Sequence, residues 1–291
     1  MHINYNDPVQ WLSHRYPCDT AARNPEIEKK CLDYFKDKSV LKVVDVGAGT
    51  GNNFQYYFSK FNQQQHWTLL EQDEALIEAC RHSLMAYCEK HEYEVRQEKN
   101  GLQIKFDGRS AEVVFCRGKL QQIEKCVDLK QTDLVTANAV FDLLSFEDFE
   151  EFVIKLTAWN VCLMATLNYY ETSFLPFSEE DGRFINYYHT HMLRPQPDGI
   201  AMGPNCSEEM LDLLSRHQML IEQEASQWHL KKYDTTMHHY ILHFFDHALR
   251  ELNLSPHEQE EVEAWLRSKR RLSDQHQLEI IVDHSDIFAY P

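Results

Sequence analysis

The sequence predicts an α/β fold built on a doubly wound, mostly parallel sheet. Three observations carry that expectation. Short β-rich runs alternate with helical stretches over residues 40–168, the first run (Val40–Val46) ends in a cluster of glycines, and the second (Trp67–Leu70) ends on an acid. A strand buried on both faces reads as a nearly continuous apolar run, and alternation with helices is what crossovers between parallel strands require.

The elements follow in order. Residues 8–36 read as helical, with Trp11, Leu12, Ala21, Ala22, Ile27, Leu32 and Phe35 as apolar positions. Pro17 and Pro25 are expected to break this region into at least two pieces. Strand Val40–Val46 leads through glycines into a helix from about Gly51 to Phe61, and strand Trp67–Leu70 ends at Glu71-Gln72-Asp73. From Asp73 to about Lys90 apolar residues recur at helical spacing, with Asp73 placed to cap the first turn. Asp107-Gly108 between Leu102–Phe106 and Ala111–Cys116 reads as a hairpin turn. Asp133–Ala137, a helix at Phe146–Trp159 and strand Val161–Leu167 continue the alternation.

After Asn168 the alternation lapses. Residues 169–206 hold four prolines, several aromatics and a helix at Glu179–Met192. A stretch this long without regular alternation is usually a functional lid or an inserted cap. The pattern then resumes with a helix at Ser207–His217, a strand at Met219–Trp228, helices at Thr236–Leu252 and Pro256–Arg271, and a last strand at Leu278–Val282. One domain over 1–291 is expected, with residues 1–38 as an N-terminal helical cap and 169–206 as an inserted lid.

Composition narrows the class. With 43% hydrophobic and 26% charged residues the chain is an ordinary globular one. No apolar stretch approaches the ~18 residues of a membrane span, and Met1–Gln10 lacks the basic and apolar regions of a secretory signal. The formal net charge of −17 repels polyanions and argues against broad nucleic-acid contact. The densest basic cluster, Arg267–Arg271, reads as a solvated helix end. None of the eight cysteines forms a CxxC pair, so neither a metal site nor a disulfide framework is expected, and the reading favours a reducing cytoplasm.

The chemistry sits in Val43-Val-Asp-Val-Gly47-Ala-Gly49-Thr-Gly51. Glycines let a chain turn sharply from strand to helix and approach a ligand with no Cβ in the way. Asp45 stands two residues before the first glycine, and Glu71 closes the second strand. This combination resembles motif I of the class I, Rossmann-like, S-adenosylmethionine-dependent methyltransferases. The resemblance extends along the chain to a bacterial group of such proteins. It is carried by Trp11-Leu12…Arg15…Asp19…Ala21-Ala22-Arg23, Phe184–His191, Trp228-His-Leu and the closing Asp283–Pro291.

The resemblance implies a seven-stranded sheet with an antiparallel edge, S-adenosyl-L-methionine as cofactor, and a small-molecule acceptor. Gly47, Ala48, Gly49 and Gly51 would form the wall under the cofactor's methionine part, and Asp45 would hold its ammonium. Glu71, followed by Gln72, would grip the ribose hydroxyls, since two vicinal donors match a carboxylate's two oxygens. Where the family often carries an acid beside the adenine, Arg117 and Lys119 stand instead. A backbone group or Leu120 would then serve. Thr136, Ala137 and Asn138 would approach the sulfonium, with Asp142 near the pocket rim or capping a helix. Arg15 and Arg23 would reach over the cofactor's carboxylate, or Arg23 would complement a helix C-terminus and pair with Asp19.

For the acceptor, the carboxyl ends of the fourth and fifth strands bring forward Asn168, Tyr169, Tyr170, Asn186, Tyr187, His189 and His191. His189 or His191 suits a general base because histidine titrates near neutrality. Two residues apart on a helix face different ways, so only one can point inward; a surface histidine is the alternative. Phe174, Phe177, Phe184, Tyr187 and Tyr188 would line an acceptor pocket or pack the cap. Three functions stay open: a small-molecule methyltransferase, an RNA or protein methyltransferase, and a non-catalytic S-adenosylmethionine-binding protein.

Overall fold

The computed structural model describes residues 4–197 and 199–291. Among these, nine strands form one sheet in the order β3-β4-β5-β2-β1-β6-β7-β9-β8. The strands are β1 (Val40–Val46), β2 (Gln64–Glu71), β3 (Glu94–Glu98), β4 (Gly101–Phe106), β5 (Arg109–Arg117), β6 (Leu134–Asn138), β7 (Cys162–Leu175), β8 (Leu220–Leu230) and β9 (Glu279–Tyr290). The five central strands β5, β2, β1, β6 and β7 run parallel. On one flank β4 and β3 add antiparallel, and on the other β9 and β8 do the same.

The sheet is thus wider than the expected seven strands. The Asp107-Gly108 hairpin was legible, but β3 was not: its Glu94-Val-Arg-Gln-Glu98 run is mostly charged and solvent-facing, as befits an edge strand. The expected antiparallel edge is present in β8 and β9.

The helices are α1 (Pro8–Ala22), α2 (Pro25–Phe35), α3 (Asn52–Tyr57), α4 (Glu74–Lys90), α5 (Phe146–Ala158), α6 (Asp181–Met192), α7 (Cys206–Arg216), α8 (Thr235–Arg250) and α9 (Pro256–Asp274). Pro17 lies inside α1 and does not end it; the break falls at Pro25 alone. There Asn24 caps α2, its Oδ1 accepting from the amides of Glu26 and Ile27. Asp73 caps α4 through the Ala75 amide, as expected.

One apolar cluster, with Leu41, Val43, Trp67 and Phe54, lies between α2, α3, α4 and the sheet, while Val44, Val135, Phe149 and Leu213 belong to a second under α5 and α7. A third, with Leu167, Phe174, Phe245 and Trp265, packs α6, α8 and α9 over the extended parts of β7 and β9.

Residues 169–206 are more regular than expected, since β7 continues to Leu175 and only the remainder is irregular around α6. β7 carries a register shift between Ala165 and Asn168, where Leu167 adopts φ 56°. Asp286 of β9 holds that bulge. Its Oδ1 accepts from the Leu167 amide (2.8 Å) and the Ser226 hydroxyl (2.7 Å), and its Oδ2 accepts from the Asn24 amide (2.8 Å).

Candidate functional site

The turn after β1 is built around glycine geometry. Gly47 and Gly49 both have positive φ, +63° and +54°. A Cβ on Gly47 would sit 2.7 Å from Val140 Cγ2, and one on Gly49 would sit 3.0 Å from Leu12 Cδ1 of α1. The Ala48 amide donates to the Leu70 carbonyl (3.1 Å), tying the turn to β2. Glu71 completes the brace: its Oε2 accepts from the Gly49 amide (3.0 Å), and its Oε1 from the amides of Gln72 (2.8 Å) and Asp73 (3.0 Å).

This brace forms one wall of a cavity of about 360 Å³ at the carboxyl ends of β1, β2 and β6. Of the residues marked in the sequence, Arg15, Gly47, Gly49, Glu71, Gln72, Lys119, Leu120 and Asn138 line it. Asp45, Ala48, Gly51 and Arg23 do not. Gly51 is the N-cap of α3, facing Cys80 and Leu84 behind the turn.

Asp45 and Arg23 belong to a buried network beneath the cavity floor. Arg23 Nη1 donates to Asn53 Oδ1 (2.8 Å) and Nη2 to Asn138 Oδ1 (3.0 Å), while the guanidinium stacks on Tyr56 and Tyr57. Asn53 Nδ2 donates in turn to Asp45 Oδ1 (2.6 Å) and Thr136 Oγ1 (3.0 Å). Asp45 Oδ2 has no hydrogen-bond partner, and burial pushes this carboxyl up to about 7. Asp19 does not pair with the Arg23 side chain. It takes Arg15 Nε with both oxygens (3.2 and 3.0 Å) and accepts from Asn138 Nδ2 (3.0 Å). Arg15, Asp19 and Arg23 thus tie α1 to the end of β6.

Several lining residues escaped the sequence reading: Leu12, Gly118, Gln121, Ser145 and Asp148. Gln121 Nε2 donates to Asp148 Oδ2 (2.8 Å), so an acid does stand in this region, supplied by the first turn of α5. Ser145 three positions before Asp148 is a helix-start signature, and that structural role masked the second one. Arg117 turns outward to Glu74 (2.8 Å).

The Cys116–Cys126 pair is disulfide-bonded, against the expectation of no bridge. The two are ten residues apart with no motif spacing. A 3-10 turn at Leu120–Lys125 folds the chain back and brings their Cα atoms to 6.0 Å. The bridge also removes the ground for inferring a reducing compartment from cysteine usage.

A second cavity of about 240 Å³ adjoins the first; Arg15, Ala139 and Leu143 line both. Trp11, Trp228, Phe244, Phe245, Tyr169 and Tyr188 supply its aromatic walls. Ala139 (φ 53°) and Leu167 (φ 56°), both left-handed without being glycine, also line it. Such strain concentrates at functional sites.

Of the three catalytic candidates only Tyr169 lines this cavity. Its hydroxyl contacts Thr172 Oγ1 (3.2 Å) and His189 Nε2 (3.0 Å), and burial raises it further above the ordinary tyrosine range. His189 stands behind Tyr169, its ring pushed down by burial and opposed by Glu171. His191 lies elsewhere, paired with Glu251 of the α8 end (2.9 Å). The two histidines bond different partners, and neither lines the cavity.

The aromatic run is divided as well. Phe174 and Phe184 pack on Trp265 in the third apolar cluster, Phe177 is exposed, Tyr187 donates to Glu258, and only Tyr188 reaches the cavity. Among the described residues no group of three metal-ligating side chains occurs, and no helix is long and apolar enough to cross a membrane.

No protein-family model matches this chain, and no curated protein does. Solved structures similar to it include a cyclopropane synthase of Mycobacterium tuberculosis, 9% identical, covering 97% of this chain and 95% of that one with a TM-score of 0.47. A precorrin-6y C5,15-methyltransferase of Geobacter metallireducens is 9% identical over 93% and 92%, with a TM-score of 0.45. A Haemonchus contortus phosphoethanolamine N-methyltransferase, solved with S-adenosyl-L-methionine, is 12% identical over 99% of this chain and 60% of its own, with a TM-score of 0.44.

Proposed function

We propose that this chain is an S-adenosylmethionine-dependent methyltransferase acting on a small molecule. The observation that carries the reading is the pairing of two adjoining cavities, one walled by a glycine turn braced on Glu71 and the other by aromatic rings. A two-substrate transfer needs such contiguous spaces.

The residues fit the cofactor. Gly47 and Gly49 leave room where a side chain would intrude, and Glu71 presents a carboxylate at the end of β2. Gly118–Gln121 and Asp148 suit the adenine end, where backbone groups and the Asp148 carboxylate would receive the base's donors. Asp45, beneath the loop, supports it by accepting from Asn53 at what would be the methionine end. When bound, the cofactor supplies a methyl group made electrophilic by the neighbouring sulfonium. The chain's own work is to hold the acceptor in line, exclude water and receive any proton the acceptor loses.

Residues 1–38 serve as a cap through α1, whose Leu12 and Arg15 line the first cavity, and residues 169–206 contribute α6 to the second. The small volume of the second cavity favours a small-molecule acceptor over a nucleic acid or protein chain.

Calorimetric titration with S-adenosylhomocysteine tests the reading. Binding is expected to the wild type and lost in Gly49→Arg, whose side chain would fill the space below Leu12. Absence of wild-type binding overturns the proposal. Normal binding by a folded Gly49→Arg variant would place the site elsewhere.

A further inference from the structure

We infer that the second cavity takes a small, uncharged ring compound whose methyl-accepting atom is a hydroxyl or amine, and that Asp142 receives its proton. This rests on the methyltransferase reading above and adds the class of acceptor to it.

Size and walls define the body of the ligand. About 240 Å³ exceeds the roughly 150 Å³ that holds one benzene ring, so a substituted single ring or a compact fused pair fits. Six aromatic side chains surround that space and favour a flat partner.

The polar groups define its functional end. Three lining residues carry a buried side-chain atom without a hydrogen-bond partner: Asp142 Oδ1, Trp228 Nε1 and His284 Nδ1. Native interiors rarely leave such groups unmatched, and a cluster of them around one cavity points to a ligand that supplies the partners. Trp228 can only donate, and an ionised Asp142 only accepts, so the ligand must both donate and accept. A hydroxyl or amine does both.

Charge excludes ionic ligands. The Arg15 guanidinium is bound by Asp19 and lies over the rings of Trp11 and Trp228, so its donors are engaged, yet its positive charge is still felt at Asp142 and His284. An anion would meet Asp142, and a cation would meet Arg15. His284 adds no charge, because burial and Arg15 push its ring down to about 3.

Position makes Asp142 the proton acceptor. It lies in the 3-10 turn Phe141–Leu143 directly after β6, and its neighbour Leu143 lines both cavities. Burial pushes this carboxyl up to about 6, with Arg15 of α1 pulling it down. Tyr169 of β7, Tyr188 of α6, Cys206 of α7 and His284 of β9 complete its titratable surroundings. Both its forms are therefore accessible near neutrality, as proton transfer requires. The acceptor's heteroatom bonds the methyl carbon as the methyl–sulfur bond breaks, that bond's electron pair stays on sulfur, and the heteroatom's proton passes to Asp142.

The test uses the full chain and two probes, p-cresol and its O-methylated analogue 4-methylanisole, titrated by calorimetry. S-adenosylhomocysteine binding is measured separately. Wild type is expected to prefer p-cresol by about tenfold, the worth of one buried hydrogen bond to a charged acceptor. That preference should fade below a pH of about 6 and nearly vanish in Asp142→Leu. Trp228→Phe should weaken both probes together. Equal binding of the probes, no binding of either, or a preference that survives in Asp142→Leu overturns the inference. If Asp142→Leu does not fold by circular dichroism, unchanged affinities in Trp228→Phe overturn it instead. Failure of S-adenosylhomocysteine to bind strikes the cofactor reading alone.

Discussion

Asp45 shows how a residue within a motif can matter without lining the cavity beside it. Burial lifts its carboxyl from 3.8 to about 7, although Asn53 and Arg23 pull it down. A raised folded-state value means that the associated stability is fully present below about 3.8 and is lost as pH rises through about 7. Asp45→Asn keeps the acceptor for Asn53 and removes the buried charge. It should change stability little at pH 4 and stabilise by up to about 4 kcal/mol at pH 8. Thermal denaturation at the two pH values checks this; parallel curves for variant and wild type would refute it. Asp286 is also pushed up by burial, but its two oxygens satisfy two backbone amides and a hydroxyl. Asp286→Ala is expected to cost about 3 kcal/mol in urea unfolding, through the buried donors it strands.

Among the elements, the turn from β1 into α3 was the most legible, because glycine at three alternate positions after an apolar run has few structural readings. Glu71 was legible for the same reason, as the acid ending the next strand. What stayed hidden depends on tertiary return: Asp148 comes from α5, Trp228 from β8 and His284 from β9, each far along the chain from the site. His189 and His191 stood out because titration near neutrality is a property of the residue type, whereas facing a cavity is a property of the packed helix. The loop between Cys116 and Cys126 supplies Gly118, Lys119, Leu120 and Gln121 to the first cavity. Opening the bridge releases a segment that the ligand would then have to order. Dithiothreitol, or Cys126→Ser, should weaken S-adenosylhomocysteine binding by about threefold to tenfold. Equal affinity in both redox states would show that Leu120 and Ile123 packing alone fixes the loop.

Across the molecule, the parallel core was readable from the alternation, and both antiparallel flanks were partly so. The sheet's full width was not, because a charged edge strand carries no apolar period. Nor does periodicity reveal that α1 crosses from the glycine turn to the aromatic cavity. Trp11 anchors that crossing, packing on Trp228, Tyr240 and Phe244. Trp11→Ala should destabilise by about 3 kcal/mol. It should also speed hydrogen exchange across α1 more than across β1 or β6, because the helix loses its hold on α8 while the sheet keeps its own core. Uniform exchange would argue that α1 unfolds only with the whole chain.

The wall shared by the two cavities has a thermodynamic consequence. Arg15, Ala139 and Leu143 touch both spaces, so a ligand that shifts any of them in one cavity alters the free energy of filling the other. Linkage makes that effect reciprocal: whatever factor one ligand imposes on the second, the second imposes on the first. With both spaces filled, the N-terminal helix and the strand-end turn would therefore act together as the coupling element, and the sign of the coupling would decide whether each ligand strengthens or weakens the hold on the other.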